Sequence, residues 1–246
     1  MTTDIQKMHK LQDECGCVYN GQLQDNKYHG KGQHISCNGH IEEGIFKNDF
    51  LNGYGRRIFP SGEILEGVFL DGNIQEGKKT YTNGPVYKGT FLKNIPHGIG
   101  FTTCSDKTIY KGYFENGDLK GICKIYYPDG MIYEGNVKNN KCHGYGRLTY
   151  INGIIYQGHF ENGKRHGSGK ILFTDKSIYN STFTNDTYEG PYELTYLCGR
   201  IYQGNDYFNS TQEDEIYLTR ISKREYKNIK KTFYEKKNFI LFEKGK

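Results

Sequence analysis

The sequence predicts an all-β protein. It is expected to be an elongated stack of about eight antiparallel β-hairpins that form a twisted ribbon or groove, with a short C-terminal helical tail. Glycine supplies 32 of the 246 residues, roughly twice its usual share, whereas proline supplies 5 and tryptophan is absent. The 22 Tyr and 14 Phe residues favour strands. A glycine motif also recurs at a fixed interval, which is typical of repeat proteins.

The repeat is defined by the tripeptide Tyr-x-Gly, which recurs every 23 residues apart from one interval of 22. A bulky residue stands two places after the glycine, as Phe91 does after Gly89. Because side chains alternate along a strand, all three positions share one face of it. The repeats therefore start near residues 19, 42, 65, 87, 110, 133, 156 and 179, with a partial ninth at 202.

The second half of each repeat predicts the return strand of a hairpin. Half of the repeats carry His-Gly-x-Gly there, and most end in a turn glycine, such as Gly130 after Pro128 and Asp129. Glycine weakens a strand, so its recurrence beside rings indicates a slot for a ring from the neighbouring strand or repeat. One hairpin is marginal in water, and stacking eight would bury their aromatic edges.

These motifs resemble the MORN repeat, the membrane occupation and recognition nexus family. Residues 156–170 match the family pattern almost completely, and residues 110–117 and 133–135 match it as well. The resemblance covers about three quarters of the chain. The third repeat departs by losing one residue and placing Gln75 at the first glycine of its pair, and the eighth has Ser181 where glycine is expected.

The predicted organisation has three parts. Residues 1–18 form an N-terminal extension, residues 19–205 the MORN-repeat domain, and residues 206–246 a basic amphipathic tail. Cys15–Val18 are expected to add an edge strand beside the first hairpin. Docking of the tail helix on the last repeats and its binding to a partner or a membrane are both left open. Its apolar stripe consists of Leu218, Ile221, Ile229 and Phe233.

The sequence predicts no catalytic residue, no cofactor and no metal site. The glycine motifs match neither the phosphate-binding loop nor the dinucleotide fingerprint. Four residues imitate part of a zinc site, but the usual Cys-x₂-Cys pairs are missing; they are Cys15, Cys17, Cys37 and His40. The repeat histidines form a row and not a cluster, so they are expected to cap turns or pack. They are His29, His97, His143 and His166.

The sequence therefore predicts a non-catalytic scaffold or adaptor whose partners are other proteins, with a peptide or helix held in the repeat groove. The resemblance implies assembly at a cytoskeletal, ciliary, flagellar, cell-division or membrane-associated structure in the cytoplasm. It also implies dimerisation through terminal repeats. The candidate groove residues are Tyr87, Phe91, Tyr110, Phe114, Tyr127, Tyr133, Tyr150, Tyr156 and Phe160.

The alternative is a peripheral adaptor that binds anionic lipids, such as phosphoinositides, through the basic tail and the repeat surface. A net charge of +5 permits that attraction without requiring it. Nucleic acid is not an expected partner, because basic and acidic residues are mixed along the chain. The candidate contacts to an anionic surface are Lys223, Arg224, Lys227, Lys230 and Lys231.

Overall fold

The computed structural model describes residues 7–204, and this range contains strands and turns and no helix. The chain divides into two compact units, Met1–Asn140 and Lys141–Lys246. The all-β, hairpin-based architecture predicted from the sequence is therefore confirmed. The predicted helical tail and all five basic residues assigned to an anionic surface lie outside the described residues.

In the first unit each strand pairs antiparallel with the strands before and after it in the chain, which gives an open sheet in sequence order. Its strands are β1 (His9–Gln12), β2 (Val18–Gln24), β3 (Lys27–Ile35), β4 (Ile41–Lys47), β5 (Phe50–Ile58), β6 (Ile64–Leu70), β7 (Asn73–Thr80), β8 (Val86–Leu92), β9 (Ile95–Thr103), β10 (Ile109–Glu115), β11 (Asp118–Tyr126) and β12 (Ile132–Lys138).

The second unit repeats this arrangement, with each strand hydrogen-bonded to its neighbours in sequence. Its strands are β13 (Lys141–Thr149), β14 (Ile155–Glu161), β15 (Lys164–Leu172), β16 (Ile178–Thr184), β17 (Thr187–Thr195) and β18 (Ile201–Gly204). In the part of the chain that the structure describes, no helix is long and apolar enough to cross a membrane.

Each hairpin closes with two left-handed residues, such as Asp25 and Asn26 at φ 51° and 60°. Two successive left-handed residues make a type I′ turn, whose twist matches that of the flanking strands. Asn, Asp and Gly tolerate this conformation and occupy most of these positions. Within the two units these turns are residues 25–26, 48–49, 71–72, 93–94, 116–117, 162–163 and 185–186.

In the fourth repeat the ring of Tyr87 fills the gaps left by two glycines. A Cβ atom added at Gly89 or Gly100 would lie 2.5 or 2.4 Å from the hydroxyl oxygen of Tyr87, whose ring covers both glycines. Gly89 and Gly100 face each other across β8 and β9. The Tyr87 hydroxyl donates to the Thr90 carbonyl oxygen at 2.9 Å. The slot at Gly100, on β9, thus receives a ring from the neighbouring strand, as expected, whereas the slot at Gly89 is covered by a ring from its own strand.

Successive repeats contact each other through these rings. The ring centroids of Tyr87 and Phe114, from consecutive repeats, are 4.9 Å apart at an interplanar angle of 73°. Such edge-to-face pairs contribute about 0.5–1.5 kcal/mol beyond the area that they bury. The hairpin tips are linked as well, because Asp49 Oδ1 accepts the Tyr28 N–H at 2.8 Å. Each hairpin is thus held by the next one.

The N-terminal edge strand differs from its prediction. The strand that pairs with β2 is β1, with Leu11 opposite Tyr19. Cys15 and Cys17 instead lie in the connection that turns the chain from β1 into β2. An edge strand was expected here, but Cys15–Val18 was the wrong segment for it. The predicted boundaries at residues 18 and 205 stay predictions.

The shortened third repeat loses its residue from a β-bulge. In the fourth repeat, Gly98 lies in the bulge at φ 84°, in the left-handed region that favours glycine. In the third repeat, Val68 is opposite Glu76 and Phe69 opposite Ile74, so that only Gln75 is left over. Gln75 is not among the left-handed residues. Its side chain is therefore compatible with the position because the smaller bulge needs no left-handed backbone.

Candidate functional site

The two faces of the sheet in the first unit differ in exposure. Along β8, Tyr87 and Phe91 are buried, whereas Lys88 and Thr90 on the opposite face are exposed. We call the face that carries Tyr87, Gly89 and Phe91 the ring face, and the opposite one the open face.

The nine rings predicted as a partner groove belong to the packed positions of the repeat. Tyr87 contacts both Phe91 and Phe114 in the first unit, and Tyr156 contacts Phe160 in the second, with ring centroids 4.9–5.2 Å apart. Seven of the nine are at most 8% exposed. The exceptions, Tyr110 and Tyr127, are half-buried. A contact between these rings and a partner stays a prediction; in the structure they pack.

Burial also determines the chemistry of these phenols. It raises the pKa of Tyr19 and of Tyr87 to about 12. Both hydroxyls donate to backbone carbonyl oxygens, those of Gln22 and Thr90 respectively. They therefore stay protonated near neutral pH, where they cannot act as general bases.

The fifth repeat shows what the second glycine of the pair does. Cys123 replaces that glycine, and its Cβ lies 3.0 Å from where a Cβ of the facing Gly112 would be. Tyr110, which leads this repeat, is only half-buried, whereas Tyr87 and Tyr133 are at most 1% exposed. In this repeat a side chain at the second glycine position goes with a less buried ring, whereas in the eighth repeat, with Tyr192 at that position, Tyr179 is still only 2% exposed.

The open face of the first unit carries large apolar side chains at recurring positions. Each is the residue directly after the glycine of Tyr-x-Gly or after the first glycine of His-Gly-x-Gly, or after the glycine at the same place in a repeat that departs from these motifs. We call this set the open row. Its members are 36–77% exposed, and they are Ile45, Tyr54, Val68, Ile99, Tyr113 and Ile122. Contiguous exposed apolar surface marks interaction sites on soluble proteins.

Strand pairing joins the open row into two patches. Tyr54 is directly opposite Val68, and Ile99 directly opposite Tyr113, so that their side chains are neighbours. Seven strand spacings separate β4 from β11, about 34 Å at 4.8 Å each. Polar side chains on β7 and β8 interrupt the row. The first patch is therefore on β4–β6 and the second on β9–β11.

The charges beside the two patches differ. Next to the first patch, Glu66 accepts from the Tyr54 hydroxyl at 3.0 Å and pairs with Lys78 at 2.9 Å. Next to the second, Lys88 and Lys111 both face Phe101 across the ladder. Within residues 7–204 these two lysines form no ion pair. The second patch is therefore apolar, and two lysines without an ion pair among these residues lie at its border.

Sequence reasoning missed the open row, although its signal was present. The predicted groove residues were chosen from the positions that are alike in most repeats, and strand alternation puts these positions on the ring face. The same alternation puts the variable residue between two glycines on the open face. Large apolar side chains at that variable position, such as Ile99 and Ile122, were the signal.

The repeat histidines do not converge, as predicted. His97 contacts Tyr113, with ring centroids 5.8 Å apart and Nε2 3.3 Å from the hydroxyl oxygen. His40 packs against Phe59 at 5.2 Å. Among residues 7–204, the one group of His, Cys, Asp and Glu side chains close enough to share a metal ion is Cys15, Cys17 and Cys37.

Six segments, which together cover more than half of the chain, match the family described as MORN repeat: residues 19–41, 43–64, 87–109, 110–132, 133–155 and 156–178. The chain belongs to the MORN-repeat family. Residues 65–86 and 179–201 of this MORN-repeat protein are not among the matched segments. They are the two repeats that depart most from the pattern. No curated protein matches the chain.

The MORN-repeat protein is similar to solved structures, and the first of the following two has a similar fold. The TCP10 domain of Danio rerio CPAP, in complex with a peptide of Danio rerio STIL, has a TM-score of 0.52 and 12% identity, covering 80% of this chain and 88% of that one. The SAS-4 (dCPAP) TCP domain of Drosophila melanogaster, in complex with a proline-rich motif of Ana2 (dSTIL), has a TM-score of 0.38 and 11% identity, covering 84% and 94%.

Proposed function

We propose that this MORN-repeat protein is a non-catalytic scaffold that binds other proteins through the open row, chiefly through its second patch. The observation that carries the proposal is that Ile99, Tyr113 and Ile122 are 46–77% exposed on one face of the sheet. The core of each repeat lies on the other face, so that packing does not require large apolar side chains here. Aromatic and apolar side chains at the centre of a patch are typical anchors of protein interfaces.

The partner that fits this surface is an amphipathic segment with apolar anchors and acidic residues beside them. Lys88 and Lys111 border the second patch and have no acidic partner among residues 7–204, so a carboxylate of a binding partner would pair with them. A helix of about 20–25 residues would cover the 34 Å length of the whole row. The second patch alone would hold two or three turns of such a helix.

A similar fold binds a peptide elsewhere. The TCP10 domain of Danio rerio CPAP was solved with a peptide of STIL, and its fold resembles that of this chain. We extend the proposal to the cell: the scaffold would act in the cytoplasm at a cytoskeletal, ciliary, flagellar, cell-division or membrane-associated structure. Dimerisation through terminal repeats and binding to anionic lipid through the tail are the competing modes.

The test compares two exposed isoleucines of nearly equal accessibility. Ile122 is in the open row and is 77% exposed, whereas Ile151 is in a turn of the second unit and is 78% exposed. A photo-reactive phenylalanine analogue is placed at either position of the full chain, which is irradiated in extracts of its native cells. We expect position 122 to cross-link one dominant protein that position 151 does not. Ile122→Glu should abolish capture of that protein, and Ile151→Glu should leave it unchanged.

Each other result counts against the proposal. Equal capture at positions 122 and 151, or capture that Ile122→Glu leaves intact, would exclude the open row as the binding surface. A cross-link from position 122 to a second copy of this chain would support dimerisation in place of a separate partner. Binding to phosphoinositide vesicles that Ile122→Glu leaves unchanged, with no protein captured, would support the lipid adaptor.

A further inference from the structure

Three thiols from two separate connections of the chain converge at the N-terminal edge of the first unit. Cys15 and Cys17 lie between β1 and β2, and Cys37 lies in the turn between β3 and β4. Because Val18 is paired with Ile35, the start of β2 is next to the end of β3, and the two connections meet at the same edge. The sulfur atoms all lie within 4.8 Å of one another.

These distances fit a zinc ion. Tetrahedral zinc at about 2.3 Å from each sulfur places neighbouring sulfurs about 3.8 Å apart. The Cys15 and Cys17 sulfurs are 3.2 Å apart, and the widest separation in the cluster is below 4.8 Å. The spacing required by zinc lies between the Cys15–Cys17 separation and this upper limit, so side-chain rotations that change the sulfur separations by about 1 Å or less would bring all three sulfurs into position.

The surroundings of the thiols supply the other parts of a metal site. Asp13 Oδ1 is 2.9 Å from Cys15 Sγ and accepts the Cys17 N–H at 2.8 Å. The backbone N–H of Cys37 donates to Cys17 Sγ at 3.2 Å. Hydrogen bonds to ligating atoms fix their orientation, as second-layer contacts do in known metal sites. A carboxylate oxygen is thus beside the Cys15 sulfur, although it is not within 4.8 Å of all three sulfurs, so a rotation of the Asp13 side chain is needed to bring it to the fourth position.

The three cysteines of this cluster are not part of the repeated sequence pattern. The position of Cys37 in the turn is occupied by Pro60, Thr82 and Ser105 in the next three repeats. Gly16, at φ 91°, bends the chain between the other two cysteines and has no heavy atom within 4 Å of where its Cβ would be. The tight turn needed to bring both thiols to one side is therefore provided by a residue that tolerates it.

We propose that Cys15, Cys17 and Cys37 bind one zinc ion, with the carboxylate of Asp13 as the fourth ligand. Three thiolates and one carboxylate favour zinc over hard cations such as Mg²⁺ and Ca²⁺. The ion fastens the β1–β2 connection to the β3–β4 turn and thereby holds β1 on the outer edge of the sheet. An ion that binds only the folded chain stabilises it by mass action.

The test uses the full reduced chain, stripped of metal with a chelator and titrated with Co²⁺ alone. We expect one Co²⁺ per chain, with the strong near-ultraviolet absorbance of thiolate-bound cobalt, and its displacement by Zn²⁺. Cys17→Ser and Cys37→Ser should lose this absorbance. Cys198→Ser is the matched control, because Cys198 is also an exposed turn cysteine, and it should keep the absorbance. Asp13→Asn should bind zinc about tenfold more weakly.

Thiol alkylation gives an independent readout that does not depend on cobalt. Zinc should protect Cys15, Cys17 and Cys37 from iodoacetamide and leave Cys198 reactive, as mass spectrometry of the peptides would report. No stoichiometric cobalt binding, or equal loss in Cys198→Ser, would overturn the proposal. So would a Cys15–Cys17 disulfide that forms equally fast with and without zinc. Unchanged affinity in Asp13→Asn would overturn the assignment of the fourth ligand. Circular dichroism of each serine variant confirms that it is folded.

Discussion

Tyr87 and Tyr113 are the same residue type on opposite faces of one sheet. Tyr87, on β8, is 1% exposed, lies over a pair of glycines and donates to a backbone carbonyl oxygen. Tyr113, on β10, is 46% exposed and contacts His97 across the open face. The ring face therefore carries the residues that build each repeat. The open face carries residues that the repeat leaves variable, and a binding surface can evolve there without changing the fold.

Raising the pH should have the largest effect, because it acts on all the tyrosines with a raised pKa together. Burial raises the pKa of Tyr19, Tyr87 and Tyr196 to about 12, against about 10 in an unfolded chain. The folded state holds these phenolic protons more tightly, so their contribution to stability is full below pH 10. It is lost as the pH rises through about 12. Urea unfolding at increasing pH, followed with tyrosinate absorbance, should show cooperative unfolding in this window.

Tyr87→Phe provides the control for the alkaline prediction. It removes one titrating group, so stability should fall less steeply with pH than in the unchanged chain. If the buried tyrosines ionise near pH 10 while the sheet remains folded, the ring face is more open to solvent than the structure indicates.

Truncating the two tyrosines compares the faces directly. Tyr87→Ala removes a buried ring and its contacts with Phe91 and Phe114, and we expect it to cost about 3–5 kcal/mol. Tyr113→Ala removes an exposed ring and should change stability by less than about 1 kcal/mol. Urea denaturation of both variants measures the difference. Equal costs would mean that the open row contributes to the core.

Filling the slot beneath the ring should have an intermediate effect. In Gly100→Ala, the new Cβ would be 2.4 Å from the Tyr87 hydroxyl oxygen and 2.6 Å from a carbon of its ring. Something must shift, and overpacking of this kind costs about 1–3 kcal/mol. In a Tyr87→Ala background the slot is empty, so the same substitution should cost much less. A double-mutant cycle measures this coupling, and strict additivity would contradict it.

Much of the ring face was predictable from the sequence, because its physics is local and periodic. Alternation puts Tyr87, Gly89 and Phe91 on one side, and the turn residues encode left-handed conformations. The turns keep their left-handed backbone even where the residue does not favour it. Lys107 and Lys176 adopt φ 75° and 69° at the position where other repeats have the turn glycine. It was not predictable that one ring covers a glycine on its own strand as well as one on the next strand, because rings from the same strand, the next strand or the next repeat all satisfy the pattern.

The candidate sites were harder to predict than the fold. The open row has no period of its own, because isoleucine, tyrosine and valine alternate there with polar residues. The thiol cluster joins Cys17 to Cys37 through the register of β2 and β3, which spacing along the chain does not encode. Cys-x-Cys without a second pair is a weak motif. In both cases the missing information is which residues meet across strands.

The smallest expected effect concerns the β-bulge. It distinguishes the cost of a left-handed backbone from the cost of steric crowding. Gly121 has φ 66° and no heavy atom within 4 Å of where its Cβ would be. Gly121→Ala should therefore cost about 1 kcal/mol, entirely from the left-handed backbone. Gln75, at the equivalent place of the shortened third repeat, is not left-handed, so Gln75→Ala should change stability by less than about 0.5 kcal/mol. Urea denaturation of both variants tests this. Similar costs at the two positions would mean that the conformation of the bulge does not explain why the third repeat dispenses with its glycine.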